Sequence, residues 1–149
     1  MDQTKETKTL LLKNQLCFPL YAAARKIIGS YTPYLKRLGI TYTQYIVMLV
    51  LWEENAASVG HLCSRLHLDS GTLTPVLKKL QTAGYIKKER SIADERVVQV
   101  SLTKKGEELR RQAVTVPQNV GDCLHLTKEE AEVLYSLLYK VLDSGLNMN

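Results

Sequence analysis

Residues Leu68–Thr103 read LDSGTLTPVLKKLQTAGYIKKERSIADERVVQVSLT. Two periodicities meet in this stretch. Leu73, Val76, Leu77 and Leu80 recur at three- and four-residue intervals, the signature of a helix with one apolar stripe. Asp69 or Ser70 can cap its start, and Gly84 stops it after Ala83. Beyond the glycine, YIKKER and VVQVSL are rich in β-branched and aromatic residues. They flank the polar SIADER, which predicts a hairpin with a long loop.

Outward from this stretch the chain reads as helices. Upstream, Ser58 caps the short segment VGHLCSRLHL. Thr41 and Gln44 have capping-box spacing at the head of YTQYIVMLVLWEE, a strongly apolar helix to about Glu54. A first helix is expected from about Leu16 to Ser30, followed by a separate short helix or turn, TPYLKRLG, stopped by Gly39. Downstream, Thr103 caps a helix through about Val114 that ends near Pro117. Thr127 and Glu130 form a second capping box before a helix with Val133, Leu134, Leu137, Leu138, Val141 and Leu142 on its apolar face. The reading is mainly α with a small β-hairpin (α+β), in one domain of 149 residues.

The order short helix, tight connection, polar-faced helix, basic hairpin is that of a winged helix-turn-helix. Opposite the leucine stripe lie Ser70, Gly71, Thr72, Thr74, Pro75, Lys78 and Lys79. Small hydroxyl residues at a helix N-terminus let its backbone approach a DNA major groove and bond base edges and phosphates. Pro75 is placed within the first turn or just past it, where its ring can pack on a thymine methyl or a sugar. In the hairpin, Arg90 adds charge and Arg96 can enter a minor groove, with Asp94 orienting its guanidinium. The charge distribution agrees. The window Gly60 to Arg111 holds eleven Lys and Arg against six Asp and Glu, which accounts for the whole net charge of +5. A subregion of this kind suits a polyanion.

No apolar run is long enough for a bilayer and no stretch has the form of a cleaved signal, so a cytoplasmic protein is expected. In that compartment Cys17, Cys63 and Cys123 do not form a static disulfide framework. They lack zinc-ligand spacing, and His61, His67 and His125 show none either, so no metal and no cofactor is expected. The cysteines are either inert or redox-active. Cys17 stands two residues before Pro19, which favours the beginning of a helix. A sulfur there faces unpaired N–H groups at the positive end of the dipole, an arrangement that favours the anion.

From about Lys13 to Leu142 the sequence resembles the MarR-type transcriptional regulators. Its wing carries their Asp-x-Arg motif as Asp94-Glu95-Arg96, and ITYTQYIVMLVLWE resembles the branch that senses organic hydroperoxides. The resemblance implies an intertwined homodimer on a pseudo-palindromic double-stranded operator. Residues 10–40 and 104–146, approximately, would form the dimerisation region, and 41–103 the DNA-binding region. It also implies that Tyr31 and Tyr42 hydrogen-bond the reactive Cys17 sulfur, with Tyr21 as a third candidate. Cys123, after the VP break, corresponds to a second cysteine that in some relatives resolves the oxidised sulfur into an intersubunit disulfide.

The expected function is therefore a DNA-binding repressor, not an enzyme, released from its operator when an organic hydroperoxide oxidises Cys17. Two alternatives stay open: a one-cysteine sensor capped by a small thiol, and a regulator relieved by a phenolic ligand in the dimer crevice. A thiol peroxidase is disfavoured, because the chain lacks a thioredoxin-like βαβ pattern.

Overall fold

The computed structural model describes residues 8–121 and 124–145. After a 3-10 turn at Leu12–Asn14, the elements are α1 (Cys17–Leu38), α2 (Tyr42–Glu54), β1 (Ala56–Ser58), α3 (Val59–Leu66) and α4 (Ser70–Thr82). Then follow β2 (Ile86–Arg90), β3 (Val98–Leu102), α5 (Lys104–Ala113), α6 (Val116–Gly121) and α7 (Lys128–Leu142). The sheet is antiparallel in the order β1-β3-β2, with Ile86 opposite Leu102 and Arg90 opposite Val98. Helices α3 and α4 with the β2–β3 hairpin form a winged helix-turn-helix, as the Leu68–Thr103 pattern requires.

Helix α2 is the centre of the molecule. Tyr45, Val47, Met48, Val50, Leu51 and Trp52 are all buried, so neighbours surround it and it has almost no polar face. Leu62 of α3, Leu73, Leu77 and Leu80 of α4, and Ile86 and Val100 of the sheet share one core with it. Leu35, Leu109, Ala113 and Val116 belong to the same core. Both capping boxes are present. Thr41 Oγ1 accepts from Gln44 N–H while Gln44 Oε1 accepts from Thr41 N–H, and Thr127 and Glu130 do the same.

Three elements depart from the sequence reading. The first helix does not stop at Ser30 but runs through Pro33 to Leu38. Packing of Tyr31, Tyr34, Leu35 and Leu38 on the core offsets the interior-proline cost of about 3 kcal/mol. Gly39, at φ 70°, then ends the helix, with Ile40 N–H bonded to the Leu35 carbonyl. Pro117 opens α6 rather than ending α5: it sits at the second position of Val116–Gly121, where the missing N–H has no partner to lose. Pro75 lies in the second turn of α4, just past the first, in keeping with the sequence reading. Strand β1 has three residues, too few to show alternation, and is specified by its pairing of Ala57 with Val100.

A close backbone contact joins the helix-turn-helix to α5. A Cβ on Gly106 would collide with the Tyr85 carbonyl oxygen, and Trp52 Nε1 donates to the Gly106 carbonyl at 2.9 Å. Gly106→Ala is expected to lower stability by about 2 kcal/mol or more, because neither backbone can yield without moving the sheet. A drop of at least about 4 °C in Tm by circular dichroism would follow; an unchanged Tm would show that the joint gives way freely.

Candidate nucleic-acid interface and thiol site

The outer face of α4 is formed by Ser70, Gly71, Thr72, Thr74, Pro75, Lys78 and Lys79, all exposed, while Leu73, Leu77 and Leu80 are buried beneath. Its start is set by Asp69, which accepts from Thr72 N–H at 2.8 Å and from the Thr72 hydroxyl at 2.7 Å. These bonds, the side-chain one foremost, hold the Asp69 carboxyl below its ordinary pKa. The Thr74 hydroxyl donates to the Ser70 carbonyl at 2.6 Å. Both threonine hydroxyl protons are thus in use within the helix, leaving Thr72 and Thr74 to present acceptor lone pairs and methyl groups outward.

In the wing, the Arg96 side chain is 91% exposed. Asp94 Oδ1 accepts from Arg96 N–H at 3.0 Å and from Nε at 3.2 Å, and Oδ2 accepts from Nη2 at 3.4 Å. The same bonds lower the Asp94 pKa. The carboxylate therefore fixes both ends of the arginine, as the Asp-x-Arg spacing suggested. Arg90 ends β2 and is exposed. A cleft of about 530 Å³ runs between helix and wing, lined by Ser58, Val59, Gly60, Thr74, Leu77, Lys88, Arg96, Val97 and Val98. Lys88 is a basic residue that the sequence reading did not single out. Its signal was the strand period, since residues 86, 88 and 90 share one face of β2 and only Ile86 is apolar.

The sulfur site is only partly assembled in one chain. Cys17 is exposed at the first position of α1, with Pro19 in its opening turn. Tyr31 and Tyr42 meet edge to face with ring centroids 5.0 Å apart, and Tyr45 joins them at 5.8 and 6.4 Å. Burial raises all three phenols; for Tyr42 and Tyr45 the neighbouring phenols add to it, and Tyr45 is pushed up to about 12. All three remain neutral O–H donors at physiological pH. Tyr45 was not anticipated, because its place in a buried helix reads as packing. Along α1, Tyr31 lies 14 residues beyond Cys17, a rise of about 21 Å, so these two groups do not meet within one chain. Tyr21, one turn after Cys17, is exposed and accepts from Arg25 Nη1 at 3.3 Å, with the guanidinium 5.5 Å from its ring centre. Cys123 lies outside the described residues. Cys63 is half-buried and packs against the core.

A family model for the transcriptional regulators SarA and Rot matches residues 30–112, from the second half of α1 through the wing and nearly to the end of α5. The organic hydroperoxide resistance transcriptional regulator of Bacillus subtilis is 43% identical over 133 residues, covering 89% of this chain and 90% of that protein. AbfR, in its overoxidised form bound to DNA, superposes with a TM-score of 0.74 at 36% identity, covering 92% of this chain and 96% of AbfR. A cysteine-to-serine mutant of MarR from E. coli, complexed with operator DNA, gives 0.79 at 27% identity over 95% of this chain and 99% of MarR. The chain belongs to the MarR family of transcriptional regulators. It is a DNA-binding protein of winged-helix type. No helix among the described residues is long and apolar enough to cross a membrane.

If the wing arginine meets DNA, its two partners act differently. Arg96→Ala should weaken operator binding at least tenfold and reduce the slope of log K against log salt by about 1. Asp94→Ala should weaken it less and leave the slope unchanged, since it frees the arginine without removing its charge. Fluorescence anisotropy across a potassium chloride series reads both, and equal slopes for all three proteins would place Arg96 away from phosphate.

Proposed function

We propose that this MarR-family regulator is a homodimeric, cytoplasmic repressor that senses organic hydroperoxides through Cys17. The observation that carries the reading is an exposed cysteine at a helix start, together with a half-buried cluster of neutral tyrosines that its own chain cannot bring to it. A second copy supplies the missing proximity. Tyr31 and Tyr42 of one subunit would then donate to Cys17 of the other, with Tyr21 beside it. Surfaces for such a copy exist. Leu10, Leu12, Leu16, Phe18 and Leu20 near the N-terminus are exposed, as are Val133, Leu134, Leu137, Val141 and Leu142 on α7. These two amphipathic segments cover little of the core and are left with apolar faces in water.

On oxidation, the Cys17 thiolate attacks the distal peroxide oxygen and becomes a sulfenic acid, with alkoxide leaving and taking up a proton. The Cys123 thiol of the other subunit then displaces hydroxide, which leaves as water, and a disulfide forms. Such a bond needs Cα atoms within about 7 Å, so its closure fixes the terminal helices in a new relation. AbfR, solved reduced, overoxidised and with a disulfide formed, supports a redox-linked reading. This chain superposes on DNA-bound AbfR at 0.74 overoxidised and 0.73 reduced, but on the disulfide form at only 0.63. Two recognition helices about one DNA turn apart would read the halves of a pseudo-palindrome until that spacing changes.

The phenolic-ligand alternative has a place but a weaker one. A cleft of about 460 Å³ is lined by Ile46, Leu49, Val50, Glu53, Ser64, Arg65, Leu66, His67 and Tyr139. Its one arginine is already paired with Glu53 at 2.8 Å and Glu54 at 3.4 Å, which leaves no unmatched positive charge for a carboxylate.

Two experiments test the reading. Wild-type protein treated with one equivalent of cumene hydroperoxide should leave its operator and run as a disulfide-linked dimer in non-reducing mass analysis. Cys17→Ser should stay bound, and Cys123→Ser should give a sulfenic acid or small-thiol adduct in place of the dimer. Release of Cys17→Ser at the wild-type peroxide dose would exclude Cys17 as the sensor. Separately, Leu134→Asp with Leu137→Asp should yield monomers by light scattering and abolish tight operator binding, whereas an intact dimer would move the interface elsewhere.

A further inference from the structure

Ile92 stands out of the wing tip fully exposed, more so than any other large apolar side chain among the described residues. The proposed dimer surface does not account for it. Apart from Leu49 and Val114, the other exposed large apolar residues fall within positions 10–28 and 124–142. The loop that carries Ile92 is also closely held. Ser91 N–H donates to the Val97 carbonyl at 2.8 Å, Val97 N–H to the Asp94 carbonyl at 2.9 Å, and Ala93 N–H to Ser91 Oγ at 3.3 Å. With Asp94 also bracing Arg96, the tip is a fixed turn that presents one branched aliphatic side chain between two exposed arginines, Arg90 and Arg96.

We propose that Ile92 is a specificity-determining residue that lies in the DNA minor groove beside Arg96 and selects against guanine there. This rests on the reading of the wing as a minor-groove element. The chemistry follows from the groove itself. Its walls are sugar C–H surface, on which an aliphatic side chain can bury area, and its floor is uncluttered at A·T pairs. At G·C pairs the guanine 2-amino group projects into the middle of the floor. An isoleucine pressed there would both clash with the amino group and remove its hydrogen-bonding water. Positive charge on either side holds the tip against the phosphates, while Ile92 itself adds no charge. Its effect is therefore on sequence preference and not on the salt dependence.

The test uses the full-length protein and an operator selected from a randomised duplex pool by the wild type. At each outer flanking position A·T is replaced by G·C or by inosine·C, which keeps the major-groove edge of guanine but lacks the amino group. The wild type should bind A·T and inosine·C duplexes equally and the G·C duplex about tenfold more weakly at the sensitive position. Ile92→Ala should lose most of that penalty with the salt slope unchanged, and Ile92→Leu should retain it. Arg96→Ala should weaken all the duplexes by one factor and keep the guanine penalty. A wild type indifferent to the amino group, or an Ile92→Ala variant with the full penalty, overturns the proposal while leaving the wing in the groove. Arg96→Ala at wild-type affinity and salt slope would remove the wing from the groove and overturn both readings.

Discussion

The backbone of Gly106 lies against the carbonyl oxygen of Tyr85 with no room for a Cβ, and the Trp52 indole holds the Gly106 carbonyl from the core side. Around this contact the start of α5 satisfies the turn that follows α4. Thr103 N–H donates to the Tyr85 carbonyl at 3.1 Å, the Thr103 hydroxyl to Gly84 at 2.6 Å, and Lys105 Nζ to Ala83 at 2.8 Å. The last carbonyls of α4 are taken by the N–H groups of the turn itself, Ala83 on Lys79, Tyr85 on Leu80 and Gly84 on Gln81, and the second helix supplies the donors for the carbonyls of that turn. The recognition helix is thereby fixed at its inner end to α5 and, through Tyr85 and Ile86, to the wing. Neither reading element can shift alone.

That rigidity explains the use of the side chains on α4. Two of its outward hydroxyls are donors to its own backbone or cap, so the outer face of the helix offers acceptors, methyls, a proline ring and lysines. The arginine of the wing is likewise held by a carboxylate on its own loop. Groups fixed before binding lose less entropy on contact, which favours sequence discrimination over simple attraction to phosphate.

Much of this was legible in the sequence, because the signals were local and repeated. The Leu73–Leu80 stripe, the Gly84 stop and the β-branched runs gave the winged helix-turn-helix. Thr41, Ser58, Thr103 and Thr127 each cap the helix expected of them. The misses share a cause, in that tertiary packing overrode a local rule. Pro33 stays inside a helix because Leu35 and its neighbours are buried, and Ala56–Ser58 is a strand only because β3 lies beside it. Gly106 drew no reading from the sequence, since nothing nearby names Tyr85 as the group it must admit. Lys88 was hidden among other lysines until the strand placed it in the cleft. The tyrosine cluster was half legible: resemblance pointed to Tyr31 and Tyr42, whereas Tyr45 belongs to it only through the crossing of α1 and α2.

The thiol and the reading helix are linked by the path of the chain. Helix α1 carries Cys17 at one end and Tyr31 toward the other, and it packs against both α5 and α6. Helix α5 begins at the Gly106 joint and so bears on α4. On the proposed mechanism, a bond between Cys17 and a second copy pulls on the end of a 22-residue helix that is in contact with the element anchoring the DNA reader. A flexible hinge anywhere along this route would absorb the pull. The opposite is found at its most critical point, where a glycine, an indole and a cluster of backbone bonds leave no slack. On that proposed mechanism, strain entering α1 would have a packed route to the spacing of the two recognition helices of a dimer, and a two-site operator would convert a change in spacing into loss of one half-site.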